Sequence, residues 1–494
     1  MNYHLMNPLQ KLLYHIRRFF VGLPGALGKF FKAVGAGIVS FFTGIGRGVA
    51  DYCRMFWQGD IFTKLSYVIM GFGAMVRGQI IKGALYLVAE CSMVVYVLRF
   101  GWQYLKDIGT LGVNAEVEYL DEATGLIMYK TADNSMLILL YSVMSLILIA
   151  FFLYLYFSSV RVCYNAEKAH ARGEKLPSFL DDCKALFDRD YHKTMLSLPT
   201  LLAVAFVVLP LVFMVLIAFT NYDKSHQPPG NLFTWVGLQN FRDIFGDDAT
   251  KSKTFTYLLK WTFTWAVAAT FTNYLFGMIL ALLINKKGIR FKKMWRTIFI
   301  ITIAVPQFVS LLLMSKMFGD QGPVNLLLQQ LGWIDSPIPF LTNGTYARWM
   351  CILINMWVGI PYSMLITTGI LMNIPNDLYE SARIDGAGPV KAFLKITLPY
   401  MLFVTTPYLI TQFVGNFNNF NVIYLLTLGD PKSVWLYQAG ETDLLVTWLY
   451  KLTVNQQDYN VASVIGIIVF VISAVLSLIV YNSSGSVKKE EEFQ

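Results

Sequence analysis

A helix needs about 20 mostly apolar residues to cross roughly 30 Å of hydrocarbon. This chain of 494 residues carries eight such stretches, at approximately 81–103, 135–158, 197–219, 255–284, 296–318, 347–373, 399–427 and 460–482. The fourth and seventh are long enough to tilt or to include interfacial turns. Composition agrees: 55% of residues are hydrophobic and 14% charged, against about 25% charged in soluble domains. A soluble core stops growing near ~250–300 residues, so an aqueous fold cannot hide this excess. The expectation is an all-α polytopic membrane protein of about eight transmembrane helices. A soluble enzyme, a disordered chain and a fibre are excluded.

The basic residues set the orientation, because loops on the cytoplasmic side retain Lys and Arg. With both termini inside, about 27 of the 40 basic residues fall in inner segments and about 8 in outer ones. The opposite orientation inverts the ratio. The net charge of +9 is thereby explained without nucleic acid. Lys286, Lys287, Arg290, Lys292, Lys293 and Arg296 stand between two spans, where positive-inside retention accounts for them.

Residues 1–78 form a basic lead-in. Within it, 20–50 mix Phe, Val and Ile with Gly, Lys29, Lys32 and Arg47, the pattern of an amphipathic segment on the inner membrane surface. A solvated basic lead-in fits as well. Ile61 to Met75 is a second half-apolar stretch. No cleavable signal pattern follows the first twenty residues. Two further spans occupy 79–196, six more occupy 197–482, and 483–494 is a charged tail. The five cysteines, Cys53, Cys91, Cys163, Cys183 and Cys351, have neither CxxC spacing nor His partners, so disulfides and zinc are not expected.

No catalytic motif is present: there is no HExxH and no GxSxG. Gly22 to Lys29 faintly resembles a phosphate loop, but its spacing is wrong and Phe30 stands where Ser or Thr is required. Hydrolysis of ATP, if used, belongs to another subunit. Lys260, Lys316 and Arg348 lie near span ends, where snorkelling explains them. No acidic residue sits at mid-span, as a proton- or sodium-coupled carrier would need.

The loop 374–399 between the sixth and seventh spans reads as two short helices joined at a bend. Asp377 with Glu380 three residues on has capping-box spacing. Gly386 permits a left-handed helix end, and Pro389 suits the first turn of a second helix. The loop resembles the EAA loop of binding-protein-dependent ABC importer permeases: E-A-A, three residues, G, nine residues, I-x-L-P. Glu380, Ala382, Gly386, Ile396, Leu398 and Pro399 stand in register, with Ser381 in place of one Ala. The resemblance implies that the ATPase subunit docks here and that Glu380, Ser381, Ala382, Asp385 and Gly386 carry the coupling.

Further segments resemble the carbohydrate branch, and in particular MalF-type permeases of maltose/maltodextrin importers. They are Phe219–Tyr222, Trp235–Phe241, Asn355–Tyr362, Gln412–Phe420 and Ala439–Val446. The likeness spans about 197–482 and implies a six-helix type I importer core. The large external domain of enteric members is absent. By position, Gly359, Tyr362, Gln412, Gly415, Asn416 and Asn419 would line a sugar site. Amides donate to and accept from hydroxyls, and aromatic rings suit sugar C–H faces. Asn and Gln within spans also serve as interhelical glue. Gly415 stands where maltose-type members have Phe, which removes a stacking platform that Phe413 or Phe417 could replace.

The resemblance implies a permease that binds no cofactor itself. Its partners would be a second homologous permease in a heterodimer, two ATPase subunits using ATP and Mg, and an extracytoplasmic sugar-binding protein. The location would be a bacterial cytoplasmic membrane. The alternatives are another cargo, such as a galacto-oligosaccharide, raffinose-like sugar or glycerol phosphate, and an ATP-independent secondary carrier. A membrane glycosyltransferase is disfavoured by the missing acid pair.

Overall fold

The computed structural model describes residues 28, 32, 35–37, 39–40 and 42–483, apart from 121–124, 126, 130–131 and 287. The start of the lead-in and most of the tail lie outside the described residues. The chain divides into two compact units, one of Lys29–Asn240 and one from Phe241 onward.

Among its described residues the first unit holds three long apolar helices, α1 (Ile80–Leu105), α2 (Ser135–Ala171) and α3 (Tyr191–Ile217). Asn134 caps α2, its Oδ1 accepting from the Met136 and Leu137 amides at 3.1 Å. At about 1.5 Å per residue, the 37 residues of α2 exceed a bilayer core, and its last turns carry Arg161, Glu167, Lys168 and His170. Between α1 and α2 a two-stranded antiparallel hairpin pairs Glu118 with Tyr129 and Leu120 with Ile127.

Residues 42–58 are helical, and two short helices, Ile61–Leu65 and Phe72–Val76, follow. Arg77 holds this region on α2. Its guanidinium donates to Asp60 Oδ2 at 2.6 Å, to Gly73 O at 2.9 Å and to Cys163 O at 3.2 Å. Burial pushes the Asp60 carboxyl up, but the hydrogen bonds and charge of Arg77 and the Thr63 amide outweigh it and leave it below the usual range. The segment Ile61 to Met75 is thus a packed part of the unit. This unit also extends through Asn240, past the boundary at 196 expected from the spans. The reason lies in the 219–240 segment: Trp235 Nε1 donates to Ile108 O at 2.8 Å, and Phe233 is buried against Tyr222.

In the second unit α4 (Ala249–Asn285) is the axis. Asp248 caps it, accepting from Thr250 N at 2.9 Å and Lys251 N at 3.0 Å. One face of α4 is a seam of small or short residues, Ala266, Ala269, Thr270, Asn273, Gly277 and Ala281, at helical spacing and buried. Small side chains let helix backbones approach closely in a membrane protein. The helix pressed on this seam is α7 (Gly344–Leu371). A Cβ at Gly277 would stand 2.5 Å from Ser363 Cβ and 2.9 Å from the Met364 amide nitrogen.

Between them in sequence, α5 (Lys292–Ala304) and α6 (Gln307–Met317) meet at an 87° bend. The sequence reads 296–318 as one uninterrupted span, whereas the structure breaks it. Pro306 disfavours the helical region for the residue before it, and Val305 is accordingly extended at φ −75°, ψ 126°. After α7 come α8 (Asn376–Ile384), α9 (Leu398–Phe417) and α10 (Phe420–Thr427). The seventh apolar stretch is therefore also interrupted, at Asn418 and Asn419, where Asn419 leaves helical geometry to cap α10 through its Oδ1 and the Val422 amide, 3.1 Å. A cap of loop then leads to α11 (Leu445–Tyr450) and α12 (Tyr459–Ser483). Among the described residues seven helical stretches, with 389–427 taken as one across its break, and the bent pair are long and apolar enough to span. The core joins Trp261 and Trp265 of α4 to Leu311 of α6, Cys351 of α7 and Val422 of α10.

Candidate functional site: the α8 loop, the α9 amides and the cap

The α8 loop is a rigid element built by local chemistry. Gly386 sits at φ +70°, the left-handed region that a Cβ disfavours. Its amide donates to Arg383 O at 3.0 Å, and the Ala387 amide donates to Ala382 O at 2.8 Å. This double reversal satisfies the last carbonyls of the helix. The helix start differs from the expectation. Asp377 is not the cap; Pro375 occupies that position without a side-chain hydrogen bond, and the helix opens at Asn376. Proline's fixed φ suits a helix entry, and Asp377 is left in the first turn, where its negative charge meets the helix dipole. Pro389 opens the next short helix as expected.

The inner face of the loop is pinned. Tyr379 Oη and Thr397 Oγ1 are 2.8 Å apart. Ile374 is buried with Tyr274 and Met278 of α4 and Met401 of α9. The outer face is free of the chain: Glu380, Ser381, Asp385 and Gly386 are exposed and Ala382 is half-exposed. Apolar Leu378 and Ile384 also point outward, Ile384 at 88% exposure. An exposed, capped, pinned helix with an apolar and acidic outer face is suited to receive a rigid partner.

The residues expected at a sugar site fall into two groups. Asn416 is buried; its Nδ2 donates to Thr270 Oγ1 at 3.0 Å, and its carbonyl accepts from Trp265 Nε1 at 3.0 Å. Asn419 Nδ2 lies 3.4 Å from Asn416 Oδ1. These amides tie α9 to α4. At Gly359 a Cβ would overlap the Asn273 amide, so this glycine serves the approach of α7 to α4 and leaves no room for a ring there. By contrast, Tyr362 is 43% exposed, its ring 6.3 Å from that of Tyr408. Gln412 is half-buried, and Gly415 is exposed with nothing within 4 Å of its missing Cβ. Tyr362 and Gly415 are the exposed members; Gly359, Gln412 and Asn419 are half-buried and Asn416 is buried.

The cap beyond α10, residues 428–458, carries no charge pattern or spacing that marks it in the sequence beyond the Ala439–Val446 likeness. It contains a buried ion pair: Lys451 Nζ donates to Asp443 Oδ2 at 2.6 Å, and the Gly440 amide donates to the same oxygen at 2.7 Å. Asp443 is fully buried and the Lys451 side chain 13% exposed. Burial pushes the Asp443 carboxyl up, against the opposing pull of Lys451 and the Gly440 amide. Removing one partner of a buried pair strands the other charge. Asp443→Asn is expected to cost about 3–5 kcal/mol, read as a lower melting temperature in detergent, and Asp443→Leu with Lys451→Met should recover most of it. Equal melting of the single variant and the wild type would show the pair to be idle.

Among the described residues no three His, Cys, Asp or Glu side chains converge as a metal site.

Comparison with known proteins bears on these features. The family described as binding-protein-dependent transport system inner membrane component matches residues 273–489. The chain is 35% identical to the galactooligosaccharides transport system permease protein GanP of Bacillus subtilis, over 86% of this chain and 97% of that one. It is 34% identical to the maltodextrin transport system permease protein MalC of Streptococcus pneumoniae, over 84% and 93%. Against the maltose/maltodextrin permease MalF of Escherichia coli it is 35% identical over 52% of this chain and 51% of that one. A bacterial importer of the acidic polysaccharide alginate aligns with a TM-score of 0.49 at 25% identity, over 60% of this chain and 96% of that one. The near full-length likeness to permeases of sugar transporters places this chain among the carbohydrate ABC importer permeases, within the family of binding-protein-dependent transport system inner membrane components.

Proposed function

We propose that this chain forms one half of the translocation path of an ATP-driven maltodextrin importer in a bacterial cytoplasmic membrane, with both termini cytoplasmic. A second homologous permease supplies the other half. Two ATPase subunits bind ATP and Mg, one of them seating α8 through Glu380, Ser381, Ala382, Asp385 and Gly386. An extracytoplasmic binding protein delivers the sugar. The observation that carries this reading is α8 itself: an exposed helix with both ends fixed, pinned by Tyr379 to Thr397 beside α4 and α9. A rigid element of that kind passes a partner's rigid-body movement to the spans on either side.

In this reading Tyr362, Gln412 and Gly415 meet the sugar, while Gly359, Asn416 and Asn419 hold α7, α9 and α10 in the geometry that presents them. The permease side needs no catalytic group. The resemblance to GanP supports a second cargo, galacto-oligosaccharides, and the Gly at 415 favours neither by itself. Uptake of maltotetraose against β-1,4-galactotetraose by the reconstituted importer decides between them. Uptake of both without ATP would remove the importer reading.

Gly415 gives a sharper test. Its Cβ direction is open, so Gly415→Phe starts from a Cβ that meets no atom of this chain and adds a ring for sugar stacking. Aromatic contacts of this sort contribute about 0.5–1.5 kcal/mol. The KM for maltotriose uptake is expected to fall several-fold with ATP hydrolysis unchanged. A raised KM would place Gly415 where bulk obstructs the path.

A further inference from the structure

The cap of the second unit encloses a cleft of about 550 Å³, within the range of small-molecule sites (~300–1,000 Å³). Thr250 at the head of α4, Tyr424 and Leu428 at the end of α10, the 430–439 loop, and Lys451, Asn455 and Gln456 beyond α11 wall it. It shares no residue with the α7 and α9 positions discussed above.

Three observations make it a built site. First, its walls are fixed from behind. Tyr437 Oη donates to Asp458 Oδ2 at 2.6 Å, its amide donates to Thr254 Oγ1 at 2.8 Å, and its carbonyl accepts from Trp448 Nε1 at 2.8 Å. Lys432 bridges to Gly440 across the loop, and the Lys451–Asp443 pair closes its base. Second, the lining residue Gln438 holds left-handed backbone at φ 51°, which non-glycine residues rarely adopt, while Leu428 at φ 55° and Gln457 at φ 60° do so as ordinary helix C-caps. Such conformations persist where the surroundings over-determine them and concentrate at ligand clamps. Third, the lining has a defined chemistry. Gln438, Asn455 and Gln456 bring amides, Ser433 and Thr250 bring hydroxyls, and Tyr424 presents a ring packed on Phe420 and Tyr450 at 4.7 and 5.0 Å. Lys451 is paired with Asp443, and Lys432 and Asp430 line the cleft as one charge of each sign. Amides and hydroxyls around one ring, with charges cancelled, suit a neutral polyhydroxylated ligand with apolar C–H faces.

We infer that this cleft is a second saccharide subsite, in the cap and separate from the path along α7 and α9. Its choice of ligand class rests on the carbohydrate reading above. A saccharide end held here would be retained at the mouth of the permease while the spans change conformation.

The test uses the whole importer in nanodiscs with maltotetraose and β-1,4-galactotetraose, each carrying a photoactivatable diazirine at the reducing end. Labelling is expected in peptides containing 432–438 and 451–456, and excess unmodified sugar should compete it away. Asn455→Trp, which fills the cleft, is expected to cut cap labelling at least tenfold and leave any labelling of α7 and α9 in place. Gln456→Ala removes one amide without adding bulk and should cut it severalfold, so the inference stays testable if the Trp variant does not assemble. Absent cap labelling, or cap labelling unchanged in both variants, overturns the subsite. ATP-driven uptake by the wild type is scored separately. Uptake without cap labelling removes the subsite and keeps the importer; competed cap labelling without uptake keeps the subsite and removes import of these sugars.

Discussion

Gly277→Leu is expected to prevent recovery of the folded chain. The position lies in the seam where α4 meets α7, and even a methyl group there would stand 2.5 Å from Ser363 Cβ and 2.9 Å from the backbone nitrogen of Met364. A flexible side chain could swing aside; a helix backbone cannot without opening the whole contact. Overpacking of an interior costs about 1–3 kcal/mol for added methylenes, and a leucine adds several at the tightest point. Parting the two helices would also strain the tie between Ser363 Oγ and Tyr408 Oη, 3.1 Å apart, which joins α7 to α9. Gly277→Ala should lower the melting temperature in detergent by a few degrees, and Gly277→Leu should yield only aggregate. Gly369→Leu is the control, because it lies on α7, the facing helix, and nothing lies within 4 Å of its missing Cβ. Equal behaviour of the two leucine variants would mean that the seam is not closely packed.

Gly386→Pro should abolish sugar uptake while the partner keeps hydrolysing ATP. Proline demands φ near −65°, whereas Gly386 holds +70°. The substitution also deletes the amide that donates to Arg383 O and disfavours the near-helical Asp385 before it. The end of α8 would unwind, and with it the rigidity that the proposed coupling requires. Gly386→Asn is the discriminating companion, since Asn tolerates the left-handed region far better than most side chains. It should retain most of the uptake. Uptake and phosphate release measured in the same proteoliposomes separate coupling from assembly. Normal uptake by the Pro variant would show that α8 does not transmit the movement.

The spans were legible because each is a long apolar run, and length against bilayer thickness is a robust criterion. Direction within a run was not: hydropathy is blind to the 87° turn at Val305 and Pro306, although the Pro itself was visible. The α8 loop was legible in its end and less so in its start. Gly386 has one physical role there, while Asp377 and Pro375 both suit a helix entry and only the chain path decides. The amides of α9 were ambiguous for a chemical reason. Asn416 offers the same donors and acceptors to a hydroxyl of a sugar or of Thr270, and burial rather than residue type selects the second. Gly359, expected by position at a sugar site, is a helix contact, because Asn273 reaches toward it from a helix 86 positions away. The Asp443–Lys451 pair gave no signal, since Asp443 lies in the loop ahead of α11 and only the folded cap brings it to Lys451 beyond that helix.

The break between α5 and α6 also says something about solvent. Each half, at about 1.5 Å per residue, is too short to cross a bilayer alone, and Val305 and Pro306 are exposed on the chain. The last carbonyls of α5 and the first amides of α6 have no partners within their own helices. Bare backbone of this kind does not face lipid tails; it persists only against protein or beside water. The elbow at 304–307 therefore marks a wetted or subunit-covered stripe on a surface that hydropathy alone would assign to lipid, and it divides the apolar exterior of this unit into two kinds of surface with different neighbours.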